Sequence, residues 1–158
     1  MKRDFFDLTF ELMKDNKDIY LIMAGLGYPR YEEFKTAYPD RVINTEASEQ
    51  TALDICVGLS YSGKIPFLYT ITPFLLRGWE TIRTFLNYES LHCVLIGAGQ
   101  EDDYSKHDGF SHDAQDIKEH FDIMKNFKQY YPMSVAALKL NLAQAIKDRK
   151  PNFINIRK

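Results

Sequence analysis

The 158-residue sequence predicts an α/β fold, a parallel sheet covered by helices on both faces, and three observations carry that prediction. Short apolar runs recur along the chain. Stretches long enough for a helix separate them, and several of these stretches place apolar residues at helical rather than alternating spacing. Alternation of strand and helix favours right-handed crossovers, which join parallel strands and bury both faces of the sheet.

Residues 3–14 carry Phe6, Phe10 and Met13 on one side with Phe5, Leu8 and Leu12 beside them, which predicts an opening helix. Ile19-Tyr20-Leu21-Ile22-Met23, ended by Gly25 and Gly27, predicts a buried strand. Val42-Ile43, Pro66-Phe67-Leu68-Tyr69, Cys93-Val94-Leu95-Ile96 and Phe153-Ile154-Asn155-Ile156 predict four more. Between them, residues 51–61 place Ala52, Ile55, Cys56 and Leu59 on one helical face, and residues 74–86 and 135–146 are similarly amphipathic. In open sheets of this kind ligands gather beyond the carboxyl ends of the strands. The loops at 24–30, 44–50, 70–74 and 97–112 are therefore where chemistry is expected.

The length suits one domain, residues 1–158, and a hydrophobic content of 45% is enough for a core of ordinary size. Twenty basic residues against 22 acidic ones, without a clustered basic stripe, argue against a nucleic-acid partner. The amino-terminal segment lacks the unbroken apolar stretch of a signal peptide, and no run reaches the ~20 apolar residues that span a bilayer. Cys56 and Cys93 lie in apolar segments without close pairing, so they read as buried thiols of a cytoplasmic protein with no membrane partner.

Gly25-Leu26-Gly27 and Gly97-Ala98-Gly99 both lack the third glycine of the dinucleotide fingerprint, since Arg30 and Asp102 stand there, and no Walker-type phosphate loop is present. Glu49 is placed at the start of the helix after the second strand, near the positive end of its dipole, where a first-turn capping acid is the plain alternative to a functional one. His112, in Asp108-Gly109-Phe110-Ser111-His112, is either a catalytic group or a polar residue starting the next helix. His107, Asp108 and His112 lack a thiolate, and the two histidines stand five positions apart rather than the four of a helical ligand pair, which argues against a metal site. For Phe74 and Trp79, core packing is the default.

Taken in order, these pieces resemble a known family. Tyr38-Pro39-Asp40-Arg41-Val42-Ile43-Asn44, Ser48-Glu49-Gln50, and Gly58-Leu59-Ser60 with Gly63-Lys64-Ile65-Pro66-Phe67 are similar to the central domain of transketolases and deoxyxylulose-phosphate synthases. Thr72-Pro73-Phe74-Leu75-Leu76-Arg77 resembles the family's Thr-Phe-Leu-x-Arg segment, and Asp108-Gly109-Phe110-Ser111-His112 its Asp-Gly-x-Thr-His loop. The resemblance implies the pyrimidine-binding (Pyr-type) fold of thiamine-diphosphate enzymes. It implies that Glu49 hydrogen-bonds pyrimidine N1′, so that the 4′-amino group becomes the base for thiazolium C2; a buried setting suits a glutamate that must carry a proton part of the time. By the same resemblance Phe74 stacks on the pyrimidine, Arg77 belongs to the cofactor site, and Asp108 and His112 face the substrate.

The sequence departs from the family's pattern at Gly25, where relatives commonly have an acid, and at Glu46, where a glycine often precedes the catalytic glutamate. The Gln100-Glu101-Asp102-Asp103 loop is acidic where sugar-phosphate enzymes often show a basic residue. The Gly-Asp-Gly diphosphate motif and a third domain are missing. The resemblance therefore implies a split transferase of two-carbon ketol or acyloin units, in which a second subunit holds the diphosphate and its magnesium, the two forming a heterotetramer that acts on a small sugar or keto acid. A component of a 2-oxo acid decarboxylase or dehydrogenase, and a non-catalytic regulatory subunit, are the alternatives.

Overall fold

The structure, a computed structural model, describes residues 1–25, 28–101, 103–104 and 106–158. Gly27 of the first glycine pattern and Asp102 of the acidic loop lie outside the described residues.

Six strands run β1 Ile19–Met23, β2 Val42–Asn44, β3 Ile65–Ile71, β4 Val94–Ala98, β5 Lys128–Tyr130 and β6 Asn152–Ile156. Every pairing between these strands is parallel, in the order β2-β1-β3-β4-β6-β5. The α-helices are α1 Lys2–Asp15, α2 Tyr31–Ala37, α3 Glu49–Tyr61, α4 Trp79–Thr81, α5 Ile117–Asp122 and α6 Val135–Asp148.

Alternate strand residues feed opposite faces of the sheet. Leu21, Met23, Phe67, Val94, Ile96, Ile154 and Ile156 pack against Phe5, Phe6 and Met13 of α1, Phe34 of α2 and Leu138 and Leu142 of α6. Ile22, Leu68, Leu95 and Phe153 pack against Ala52, Leu53 and Cys56 of α3 and Ile117 and Phe121 of α5. The predicted covering of both faces is therefore present. It is the reason these strands read as continuous apolar runs rather than alternating ones.

The continuous helix expected over residues 74–86 is not present as such. The chain forms a 3₁₀ stretch Thr72–Gly78, the single turn α4, and a π-helical stretch Ile82–Tyr88. Gly78 lies where the 3₁₀ stretch meets α4, and an added Cβ there would stand 2.3 Å from Leu53 Cδ1, so α3 packs closely against this junction. Nor does His112 start the next helix. It ends a 3₁₀ turn, Phe110–His112, and α5 begins at Ile117.

The two buried cysteines are free thiols, Cys56 on α3 and Cys93 before β4, and burial pushes the Cys56 thiol well up. The carboxyl ends of the strands are tied together by buried polar groups. The Thr72 hydroxyl donates to the Gly99 carbonyl at 2.6 Å with Asn155 Oδ1 3.2 Å away, and Gln100 Nε2 donates to the Asn155 carbonyl at 2.6 Å. These bonds fix the ends of β3, β4 and β6 relative to one another.

Candidate active site

Glu49 is the first residue of α3 and only 3% of its surface is exposed. Burying a carboxylate is costly unless it is paired. Its partner is Arg77, whose Nη1 donates to Oε1 at 2.9 Å and to Oε2 at 2.8 Å. The Arg77 guanidinium also lies over Phe74, 3.9 Å from the ring centroid. Phe74 meets the His112 ring edge-on at 5.0 Å, and His112 lies 5.3 Å from the Tyr104 ring. Four of the five predicted residues thus form one continuous line, Glu49–Arg77–Phe74–His112. Asp108 stands further out, 3.9 Å from Lys158 Nζ, which itself lies 4.3 Å from the Tyr104 ring.

The polar residue after Glu49 helps set this arrangement. Gln50 Nε2 donates to Asp54 Oδ1 at 3.0 Å and to Thr81 Oγ1 at 2.8 Å, and the Thr81 hydroxyl donates to Asp54 Oδ1 at 3.0 Å. That network pins α3 to α4, which directly follows the 3₁₀ stretch bearing Phe74 and Arg77. Glu46 has φ 53°, the left-handed region that favours glycine, and its N–H bonds Asn44 Oδ1 at 2.9 Å. The sequence departure at Glu46 thus falls at a position whose backbone suits the glycine it replaces. At Gly25, with φ +139°, an added Cβ would lie 2.5 Å from the Tyr28 hydroxyl. Tyr28 therefore fills the space that an acidic side chain at position 25 needs.

Glu49, Phe74 and Arg77 line a cavity of about 290 Å³ together with Lys2, Gly25, Tyr28, Tyr69 and Tyr104. The three tyrosines were not singled out by the sequence, although they lie in or beside the loops it marked. Burial pushes the Tyr28 phenol up, with Glu49 and Tyr104 adding to it. Tyr69 and Tyr104 are likewise raised by burial first. All three phenols keep their protons near neutrality and form an aromatic, uncharged wall. Lys2 is lowered, chiefly by burial and then by Lys158.

Phe74 faces this cavity rather than the core, whereas Trp79 packs edge-on against Phe121 at 5.5 Å, as core packing predicts. A buried carboxylate beside an aromatic ring that lines the same cavity fits a flat heteroaromatic ring with a basic nitrogen. The residues present therefore fit the pyrimidine end of thiamine diphosphate. Among the described residues no group of three or more His, Cys, Asp or Glu stands where it could hold a metal ion. In the acidic loop, Asp103 accepts from Arg157 at 3.1 Å and from the Gln100 N–H at 2.9 Å, so part of its charge serves the strand ends.

A larger cavity, about 350 Å³, opens at the amino ends of the strands among Asn16, Asp18, Lys64, His92 and Arg149. Lys64 is paired with Asp18 at 2.8 Å and His92 Nε2 donates to the Ala145 carbonyl at 2.9 Å. Those groups are satisfied within the fold, and the cavity holds none of the predicted residues. The cavity at the carboxyl ends is the functional candidate.

Solved structures agree with the architecture. A structure titled split gene transketolase, inactive beta4 tetramer, superposes with a TM-score of 0.84 at 24% identity, covering 98% of this chain and 50% of that one. Transketolase from Leishmania mexicana gives 0.80 at 17% identity over 91% of this chain and 23% of its own. At such identities the likeness shows the fold. Among curated sequences, a protein of Methanocaldococcus jannaschii described as a transketolase C-terminal section is 30% identical over 98 residues, 61% of this chain. The 6-deoxy-6-sulfo-D-fructose transketolase subunit SqwH of Clostridium sp. (strain MSTE9) is 22% identical over 99% of this chain. An apulose-4-phosphate transketolase subunit of Actinobacillus succinogenes is 24% identical over 66% of it. The chain spans 31%, 49% and 34% of the lengths of these three relatives. The family model for the transketolase pyrimidine binding domain matches residues 5–158, nearly the whole sequence, and the chain belongs to that family.

Proposed function

We propose that residues 1–158 form the pyrimidine-binding domain of a split, thiamine-diphosphate-dependent transketolase-like enzyme that moves a two-carbon ketol or acyloin unit to an aldehyde acceptor. The observation that carries this reading is the buried Glu49 carboxylate standing beside the Phe74 ring in one cavity at the carboxyl ends of the strands. The bound cofactor supplies the carbanion chemistry. Glu49 binds pyrimidine N1′ and holds the proton there, Phe74 carries the ring, and the neutral walls of Tyr28, Tyr69 and Tyr104 keep water from the carboxylate. His112, next in line after Phe74, turns its imidazole to the substrate's oxygen atoms, with Asp108 further out on the same loop.

On this reading magnesium and the diphosphate are held outside residues 1–158, by a partner chain. Relatives named as subunits support that division of labour. Glu49→Gln tests the assignment, because it keeps the shape and weakens proton donation. In the complex reconstituted with its partner, hydrogen–deuterium exchange at thiazolium C2, measured by NMR, is expected to slow by about 10²-fold or more while the fold is retained. An unchanged exchange rate removes Glu49 from the role.

A further inference from the structure

Arg77 occupies both of the features that the proposed function assigns to the pyrimidine ring. Its guanidinium is flat, lies 3.9 Å from the centroid of Phe74, and directs an N–H-bearing nitrogen between the two oxygens of Glu49 at 2.9 and 2.8 Å. A protonated or hydrogen-bonding aminopyrimidine makes the same two contacts: a planar π-system on the phenyl face and a nitrogen on the carboxylate. One side chain and one ring cannot make them together. We propose that Arg77 is an internal stand-in for the aminopyrimidine, occluding the cofactor's ring site in this chain until it is displaced.

The physical case has three parts. Without the pairing, Glu49, 3% exposed, is a buried carboxylate with no other ion pair among the described residues, so the cation stabilises the fold in the absence of a ring. Both bonds come from the single nitrogen Nη1 rather than from the two parallel N–H groups of a bidentate fork, so the contact is weaker and less directional than arginine can make. Arg77 itself is half exposed, at 48%, and lies in a 3₁₀ stretch, so the guanidinium has solvent to swing into when a ring arrives. An occluded state of this kind reduces apparent affinity by the fraction of molecules that are open.

The inference rests on the pyrimidine reading of Glu49 and Phe74 and is tested separately from it. The probe is the free hydroxymethyl-aminopyrimidine corresponding to that half of the cofactor, titrated by calorimetry into the 158-residue chain and its variants, each checked for its melting temperature. Arg77→Met, which removes the guanidinium, is expected to bind the probe at least roughly tenfold more tightly than the native chain. The gain should vanish when Phe74→Ala is added. Arg77→Lys keeps the charge without the flat face and should gain by a smaller factor; it decides the matter if Arg77→Met fails to fold. Equal or weaker binding by the Arg77 variants, with Glu49→Gln still lowering affinity, overturns the stand-in and leaves the pyrimidine reading in place. No binding by any form, native or variant, overturns both.

Discussion

His112 has two neighbours that a plain turn residue does not need, the Phe74 ring at 5.0 Å and the Tyr104 ring at 5.3 Å, while its Nδ1 is within 3.1 Å of Ser111 Oγ. The imidazole is thereby held at the open side of Phe74. A group that polarises or protonates a substrate oxygen contributes about 10²- to 10⁴-fold to rate, whereas one edge-on aromatic contact is worth about 0.5–1.5 kcal/mol. His112→Ala in the reconstituted complex is therefore expected to lower kcat by at least about 10²-fold. C2 exchange should survive. Near-normal turnover with only a lowered melting point would return His112 to a packing role. His92 gives the residue-scale pH dependence. Burial holds its pKa below the ordinary 6.5 and Arg149 adds to this, against the bond to Ala145 and the charge of Asp148. The unfolded chain therefore takes up this proton first as pH falls, so the contribution of His92 is complete above pH 6.5 and is lost as pH drops through the lowered folded value. Melting temperatures measured from about pH 7.5 down to about 5 should fall, and His92→Gln should flatten that slope. Glu49 and His112 were legible in the sequence because their motifs are local. The Glu49–Arg77 pair was not, since 28 positions separate the two and only the 3₁₀ geometry after β3 brings the guanidinium back.

The helices differ in how their amino ends are closed, and the difference follows the site. Ser134 caps α6 in the ordinary way, its Oγ accepting from the Ala137 N–H at 3.1 Å. Ser48, in the same place before α3, makes no such bond; its hydroxyl lies 2.7 Å from Thr51 Oγ1. Ser134→Ala is accordingly expected to cost about 1 kcal/mol, and Ser48→Ala under ~0.5 kcal/mol, in urea unfolding. Equal costs would mean that α3 is capped as α6 is. At this scale the sequence showed β2 and, most clearly, β1, β3, β4 and β6, whose apolar runs are buried on both sides. It did not show β5, three partly exposed residues at the sheet edge, nor α2 and α5, with seven and six residues, which are too short for a helical period to stand out. Tyr28, Tyr69 and Tyr104 were missed for a related reason. Aromatic residues at strand ends look like core until the cavity they enclose is seen.

Over the whole molecule, the two faces of the sheet hold separate cores, so the carboxyl ends are supported from both sides. Phe6 lies in one core and Leu53 in the other, and both are fully buried. Phe6→Ala and Leu53→Ala are each expected to cost about 2–5 kcal/mol, and the sheet between them keeps the losses nearly additive. A rigid end of this kind suits a ring-binding site. The cavity it supports has a neutral tyrosine wall, one buried acid and Lys2, and Asp103, Asp108 and Lys158 stand about its Tyr104. Lys158 is already held near Asp108, and Lys2 is drawn below its ordinary basicity by burial and by Lys158. Two ammonium groups so placed are a poor substitute for a metal-held diphosphate site, because a diphosphate brings several charges and gains most when a divalent cation bridges them. With Arg77 also covering the ring site, calorimetric titration of magnesium thiamine diphosphate into this chain alone is expected to give a Kd no tighter than about 1 mM, equivalent to roughly −4 kcal/mol. Micromolar binding without a partner would place the diphosphate contacts on this chain and shift the division of the cofactor between the two chains.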